Sequence, residues 1–222
     1  IGLAIAICLV EPKQHYYKTE RNVLEHLIEA IRGFKNNAQL RTLSLARVIK
    51  YGIGESIYEF SAAFFATLWP AWAISLARVL NNILAAIGYR LAGKFIKKFG
   101  ELKVLMWGNS ASFIVGTTII AYPTVATPLI NSFTSLAFGT SMVAQSSLLQ
   151  QKFSDHQRAT MGSLISLAGN LFFALIAYAL GACADYVGPR WALLICQVLS
   201  CFAIYLYWKL FKNHTNIMSL VK

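Results

Sequence analysis

The sequence predicts an all-α membrane protein, a bundle of six transmembrane helices, on three observations. The 222 residues contain six apolar runs, 51–69, 72–93, 102–122, 127–149, 160–183 and 190–211, each 19 to 24 residues long. A helix rises 1.5 Å per residue, so about 20 residues cross a hydrocarbon core of about 30 Å. Hydrophobic residues make up 57% of the chain and charged residues 13%, against roughly 25% charged in soluble domains. Finally, the basic residues fall almost entirely in alternate gaps between the runs. Eighteen of the 20 Lys and Arg lie before the first run, at or between the facing ends of the second and third, between the fourth and fifth, or at or beyond the end of the sixth. At the other connections the sole basic residue is Arg190, at the start of the sixth run, and Arg78 lies within a run. Excess Lys and Arg marks the cytoplasmic side, so both ends of the bundle are placed there, in a multi-pass integral protein of the cell membrane.

From the N-terminus, residues 1–10 (IGLAIAICLV) are apolar, too short to span, and begin with Ile. They lack the basic leader of a signal peptide and read as the end of a truncated preceding helix. Residues 11–50 read as a polar, basic cytoplasmic connector. Within it, Asn22 to Phe34 has an amphipathic pattern, with Val23, Leu24, Leu27, Ile28 and Ile31 on one stripe. Asn22 with Glu25 suits a capping box, and Gly33 and Asn36-Asn37 are stop signals. The bundle occupies 51–211 and a cytoplasmic tail 212–222. Two outer connections are tight: Pro70-Ala71 between Trp69 and Trp72, and Tyr122 to Pro128. Tyr205, Tyr207 and Trp208 read as an interfacial aromatic belt.

The net charge of +11 does not point to nucleic acid. The cations flank spans instead of forming one patch, as topology signals that also meet anionic membrane lipids. Cys8, Cys183, Cys196 and Cys201 lie in or at the ends of apolar runs, and His15, His26, His156 and His214 are scattered. Neither set has metal-ligand spacing, and the cysteines read as packing residues. There is no G-x-S-x-G, no HExxH and no phosphate-binding glycine loop. The reading is therefore not an enzyme, with no cofactor.

The polar residues inside the runs carry the functional argument. Glu55 and Glu59 share a face with Gly52, Ser56 and Ala62 in the first run. Ionisable groups at that depth cost about 2.5–3.5 kcal/mol or more to insert and are functional candidates. In the second run, Arg78 shares a face with Ser75, Asn81, Asn82 and Tyr89. Measured from the tight turn, Arg78 lies roughly 9 Å deep and Glu59 roughly 15 Å, so a Glu59–Arg78 pair is expected. Such a pair either only fixes packing or belongs to a working site. Glu55 is then the acid without a counter-charge and the candidate proton site. Glu55, Glu59 and Arg78 form the proton-coupling set. Ser56, Tyr58, Ser75, Asn81, Asn82, Tyr89, Asn131, Gln145 and Asn170 form the substrate-binding set, although amides such as Asn109, Asn131, Gln145 and Asn170 more often serve as helix–helix glue. Tyr58, Phe65 and Tyr89 suit an amphipathic or aromatic substrate. Ser135/Gly139 and Gly162/Ser166 have the small-xxx-small spacing that lets membrane helices approach closely. The sixth run, with Gln197 and few other polar groups, reads as peripheral.

Two short motifs add a resemblance. Gly93-Lys94-Phe95-Ile96-Lys97-Lys98-Phe99-Gly100 lies where the major facilitator superfamily repeats G-x-x-x-D-R-x-G, with Lys97 at the Asp position and Lys98 at the Arg position. Gly181-Ala182-Cys183-Ala184-Asp185-Tyr186-Val187-Gly188 is similar to the shorter G-x-x-x-D-x-x-G pattern before that family's last helix. With the six runs and the basic connector, the chain resembles the C-terminal half of such a transporter over about residues 38–211. The resemblance implies a twelve-helix protein whose N-terminal half completes it. In each half, the first, second, fourth and fifth helices would line the cavity, and the third and sixth would face lipid. It also implies secondary active transport of a small-molecule substrate by alternating access. Coupling to protons, and efflux ahead of uptake, complete the expectation. An uncoupled facilitator and a non-transporting sensor or assembly protein of the same fold are the alternatives.

Overall fold

The computed structural model of the chain describes residues 28, 31–32, 34–35, 37–153 and 158–220, with side chains as far as Lys212. Six long helices follow in order: α1 Ala38–Phe65, α2 Ala71–Phe99, α3 Glu101–Ala121, α4 Thr127–Gln150, α5 Arg158–Val187 and α6 Pro189–Leu220. The truncated segment 1–10 and most of the Asn22–Phe34 pattern lie outside the described residues. Of that stripe, Ile28 and Ile31 are helical and exposed.

Two boundaries differ from the sequence reading. The connector expected over 11–50 is already helix from Ala38. Leu40, Leu43, Ala46, Ile49 and Ile53 recur every three or four residues and are all buried, which gives the segment a packing face although its other positions are polar. Asn37 stands at both boundaries: its N–H donates back to the Phe34 carbonyl at 3.4 Å, past the helical residues 34–35, and its Oδ1 accepts the Leu40 N–H at 3.0 Å, an N-cap bond to the third helical residue of α1. At the other end, the expected tail 212–222 continues α6 as far as Leu220.

The turns explain the two motifs. Gly100 (φ 82°) joins α2 to α3, and Gly188 (φ 83°) lies between α5 and α6. These are the final glycines of the two G-x-x-x-x-x-x-G segments, and each holds a left-handed backbone that disfavours any residue with a Cβ. On the outer side, the Trp69 indole N–H donates to the Val125 carbonyl at 2.7 Å, tying the α1–α2 turn to the α3–α4 turn. Arg190 donates from Nε to the Ile120 carbonyl at 2.9 Å and from Nη2 to that of Ala121. It thereby satisfies orphan carbonyls at the end of α3. The lone basic residue of the outer connections is therefore a helix cap.

The helices form two triplets. In one, α4 packs against α2 and α3; in the other, α1 packs against α5 and α6. Contact between α3 and α6 joins the triplets at the back, while α1 and α4 approach each other only slightly. Small residues set the close crossings. A Cβ on Gly139 would meet the Tyr89 N at 2.9 Å and the Gly88 Cα at 3.1 Å, and one on Gly52 would meet the Phe173 N at 2.9 Å. Ser135/Gly139 thus packs as expected. Gly162/Ser166 does not: a Cβ on Gly162 would meet nothing within 4 Å, and Ser166 is exposed.

Four helices are long and apolar enough to cross a membrane by composition alone: α2, α3, α5 and α6 over Pro189–Lys212. Both others are of spanning length. They are more polar because α1 carries Arg47, Lys50, Glu55 and Glu59, and α4 carries Asn131, Ser132, Thr134, Ser135 and Gln145. Most of those residues face the gap between the triplets.

Candidate functional site: a cavity between the two helix triplets

The gap between α1 and α4 opens into a cavity of about 360 Å³. Its walls follow helical stripes. On α1 these are Arg47, Lys50, Tyr51, Gly54, Tyr58 and Ser61, with Glu55 beside them. On α4 they are Asn131, Thr134, Ser135, Phe138, Met142 and Gln145. Both sets recur every three or four residues, so each is one continuous helix face. Asn81, Asn82 and Ala85 come from α2. The back wall is Ser112, Phe113, Gly116 and Ile120 of α3 with Gln197 and Ser200 of α6.

That back wall corrects the expectation for α3 and α6. Both reach the cavity because the gap between the triplets runs back to the α3–α6 contact. Gln197, assigned to a peripheral helix by its sequence, is buried and donates to the Phe113 carbonyl at 3.3 Å. Its amide also lies within 2.7 Å of where a Gly116 Cβ would stand. Conversely, α5 contributes no residue to this cavity. It packs against α1, where exposed Asn170 accepts the hydroxyl of the cavity-lining Tyr51 at 2.9 Å.

The structure brings together Glu55, Tyr58, Asn81, Asn82, Asn131 and Gln145 of the expected sets. A small adjoining recess adds Arg78, bordered by Tyr58, Ser61, Asn81 and Asn131. The others lie elsewhere. Ser56 is fully buried and bonded to its own helix at the Gly52 carbonyl (2.8 Å). Ser75 is exposed, bonded to Ala71, and Tyr89 is exposed. Of the aromatic trio, only Tyr58 lines the main cavity, while Phe65 is buried beside the recess. The choice of face explains this: Glu55, Ser56 and Glu59 were aligned with Gly52, whereas the cavity lies against the stripe through Tyr51, Gly54 and Tyr58.

The Glu59–Arg78 pair is also replaced. Glu59 is exposed, and among the described residues no ion pair joins it to Arg78. The Arg78 Nη2 instead donates to the Tyr58 carbonyl at 3.0 Å and the Glu59 carbonyl at 3.4 Å. Its guanidinium carbon lies 4.3 Å from the Tyr58 ring centroid, a cation–π contact. Arg78 therefore grips the α1 backbone, and neither glutamate carboxylate is neutralised by it.

Three further bonds cross the cavity's edges. Ser135 Oγ donates to Asn81 Oδ1, joining α4 to α2. At the inner end, Gln145 Nε2 donates to the Tyr207 hydroxyl of α6, and Arg47 Nη1 donates to Ser146 Oγ at 3.3 Å. Tyr207 is buried and so belongs to this network, not to an interfacial belt. Arg47 and Lys50 were counted among the topology charges. The signal that would have placed them in the cavity is their three-residue spacing in register with Tyr51, Gly54, Tyr58 and Ser61.

The Major Facilitator Superfamily sequence profile matches residues 48–218. Among curated proteins, no sequence relative is found. Among solved structures, the fold matches a bacterial homologue of the human lysosomal transporter Spinster, in its inward-facing, unoccupied conformation. The TM-score is 0.61 at 15% identity, over 94% of this chain and 55% of that one. The chain thus spans about half the length of the transporter it resembles.

Proposed function

Because this chain belongs to the major facilitator superfamily, we propose that it supplies one six-helix half of a secondary active transporter. In this reading a small solute occupies the cavity between the triplets, and alternating access carries it across the membrane. The N-terminal half of the same transporter closes the cavity opposite. Proton movement through Glu55 couples the cycle.

The observation that carries the proposal is the cavity itself. Its lining alternates amides and hydroxyls (Asn81, Asn82, Asn131, Thr134) with large apolar groups (Phe113, Phe138, Met142). This is the composition of a small-molecule site: an apolar body with a few polar groups fixing orientation. Glu55 supports coupling because it stands on the wall, partly buried, without a cation bonded to it among the described residues. A static packing role would call for a bonded partner. Asn131 sits across the cavity on α4, so Asn131→Leu removes a polar wall group without touching the helix crossing. Substrate exchange in proteoliposomes by the intact transporter tests the reading. Exchange of a solute that Asn131→Leu weakens supports it, and a folded protein that exchanges no solute across a broad panel contradicts it.

A further inference from the structure

We propose that the substrate is an organic anion, a carboxylate or phosphate ester on an apolar or aromatic body, whose head binds between Arg47 and Lys50. The inference rests on the transporter reading and names the substrate class for its cavity.

Arg47 and Lys50 are three residues apart on α1, on the same face, and both line the cavity. They are not confined to a solvent-exposed surface: both are partly buried on the cavity wall, Lys50 roughly 18 Å along α1 from its start at Ala38. Neither is paired with a carboxylate among the described residues. Arg47 spends one nitrogen on the neutral Ser146 hydroxyl. Lys50 is partly buried and has no hydrogen-bonding partner among the described residues. An ammonium with three donors and a guanidinium with five are thus presented to one space with most donors unused.

The acid in the same cavity does not cancel them. Glu55 lies about 7.5 Å further along the α1 axis than Lys50, and one carboxylate cannot neutralise two cations. The inner end of the cavity is therefore cationic, and the Gln145 amide beside it adds polarity without negative charge. Two partly buried cations without a carboxylate partner, facing one cavity, favour an anion that supplies the missing counter-charge. Toward the outer side the lining turns to Phe138, Phe113 and neutral amides. That gradient orients a ligand with its anionic head inward and its apolar body outward. A cationic drug-like solute would set like charge against like and leave both donors unmet.

The test uses the intact transporter in detergent and four probes of matched shape: 2-naphthoate, 2-naphthyl phosphate, neutral 2-naphthamide and cationic 2-naphthylmethylammonium. Binding is read by quenching of tryptophan fluorescence. At least one anion is expected to bind more tightly than the amide and the ammonium. Lys50→Gln is expected to weaken that anion by about tenfold, the scale of a charge-assisted contact, and to leave the amide within about twofold. Lys50→Arg, which keeps the charge, is expected to recover most of the loss. Arg47→Gln provides a second, independent loss of anion affinity. Preference for the amide or ammonium, no binding of either anion, or equal anion affinity in the folded Lys50→Gln protein overturns the proposal. Flux of a neutral or cationic solute through the same protein would leave the transporter reading standing while this inference fails.

Discussion

Gly88 of α2 and Gly139 of α4 lie against each other's backbones: a Cβ on either would come within 3.2 Å of the other's Cα. The atoms in the way are main chain, which cannot rotate aside. Gly88→Leu and Gly139→Leu are therefore expected to destabilise the bundle by about 1–3 kcal/mol or more. Gly162→Leu, where a Cβ meets nothing, should leave thermal stability in detergent unchanged. Equal melting temperatures for all three variants would show that this crossing is looser than described.

Arg78 is expected to matter through the α1 carbonyls and the Tyr58 ring, not through Glu59. Arg78→Gln gives up both carbonyl bonds and the ring contact and should cost about 1–2 kcal/mol. Glu59→Gln should leave stability at the level of the unmodified protein. The double substitution should then match Arg78→Gln alone. A double-mutant cycle showing coupling of about 1 kcal/mol or more would restore the Glu59–Arg78 ion pair.

The alternating basic residues lead us to expect the α2–α3 connection on the cytoplasmic face and the α3–α4 turn on the opposite one. Lys97, near the inner end of α2, and Val125, in the α3–α4 turn, are both exposed. Cysteines placed at 97 and 125 in a cysteine-free background are expected to react with an impermeant reagent from opposite faces of the membrane. Reaction of both from one side contradicts the assignment.

Much of the fold is legible in the sequence because a bilayer imposes helix length. The six runs correspond to α1–α6, and Gly100 and Gly188 close the turns where their motifs place them. The site was harder to read. A hydropathy pattern shows that a helix has a polar face, but not which of two adjacent polar faces meets a neighbour. On α1 the acidic face with Glu59 stood out, yet the cavity lies against the stripe containing Lys50, Tyr51, Gly54 and Tyr58. Contacts such as Gln197 with Phe113, or Arg190 with the end of α3, depend on tertiary packing between distant segments. No local period encodes them. Asn37 shows a related limit: an Asn serves equally at the end of one helix and the start of the next, and here it does both.

The proton-coupled account converges on Glu55, the acid on the cavity wall. The most direct measurement is uphill solute flux in proteoliposomes driven by an imposed pH gradient, for the unmodified transporter and for Glu55→Gln, with equal-gradient solute exchange recorded in parallel. The account predicts that Glu55→Gln abolishes gradient-driven accumulation while exchange persists, because the cavity keeps its shape but loses the group that carries the proton. Gradient-driven flux through Glu55→Gln equal to that of the unmodified protein would contradict it and leave an uncoupled facilitator or another coupling group in its place.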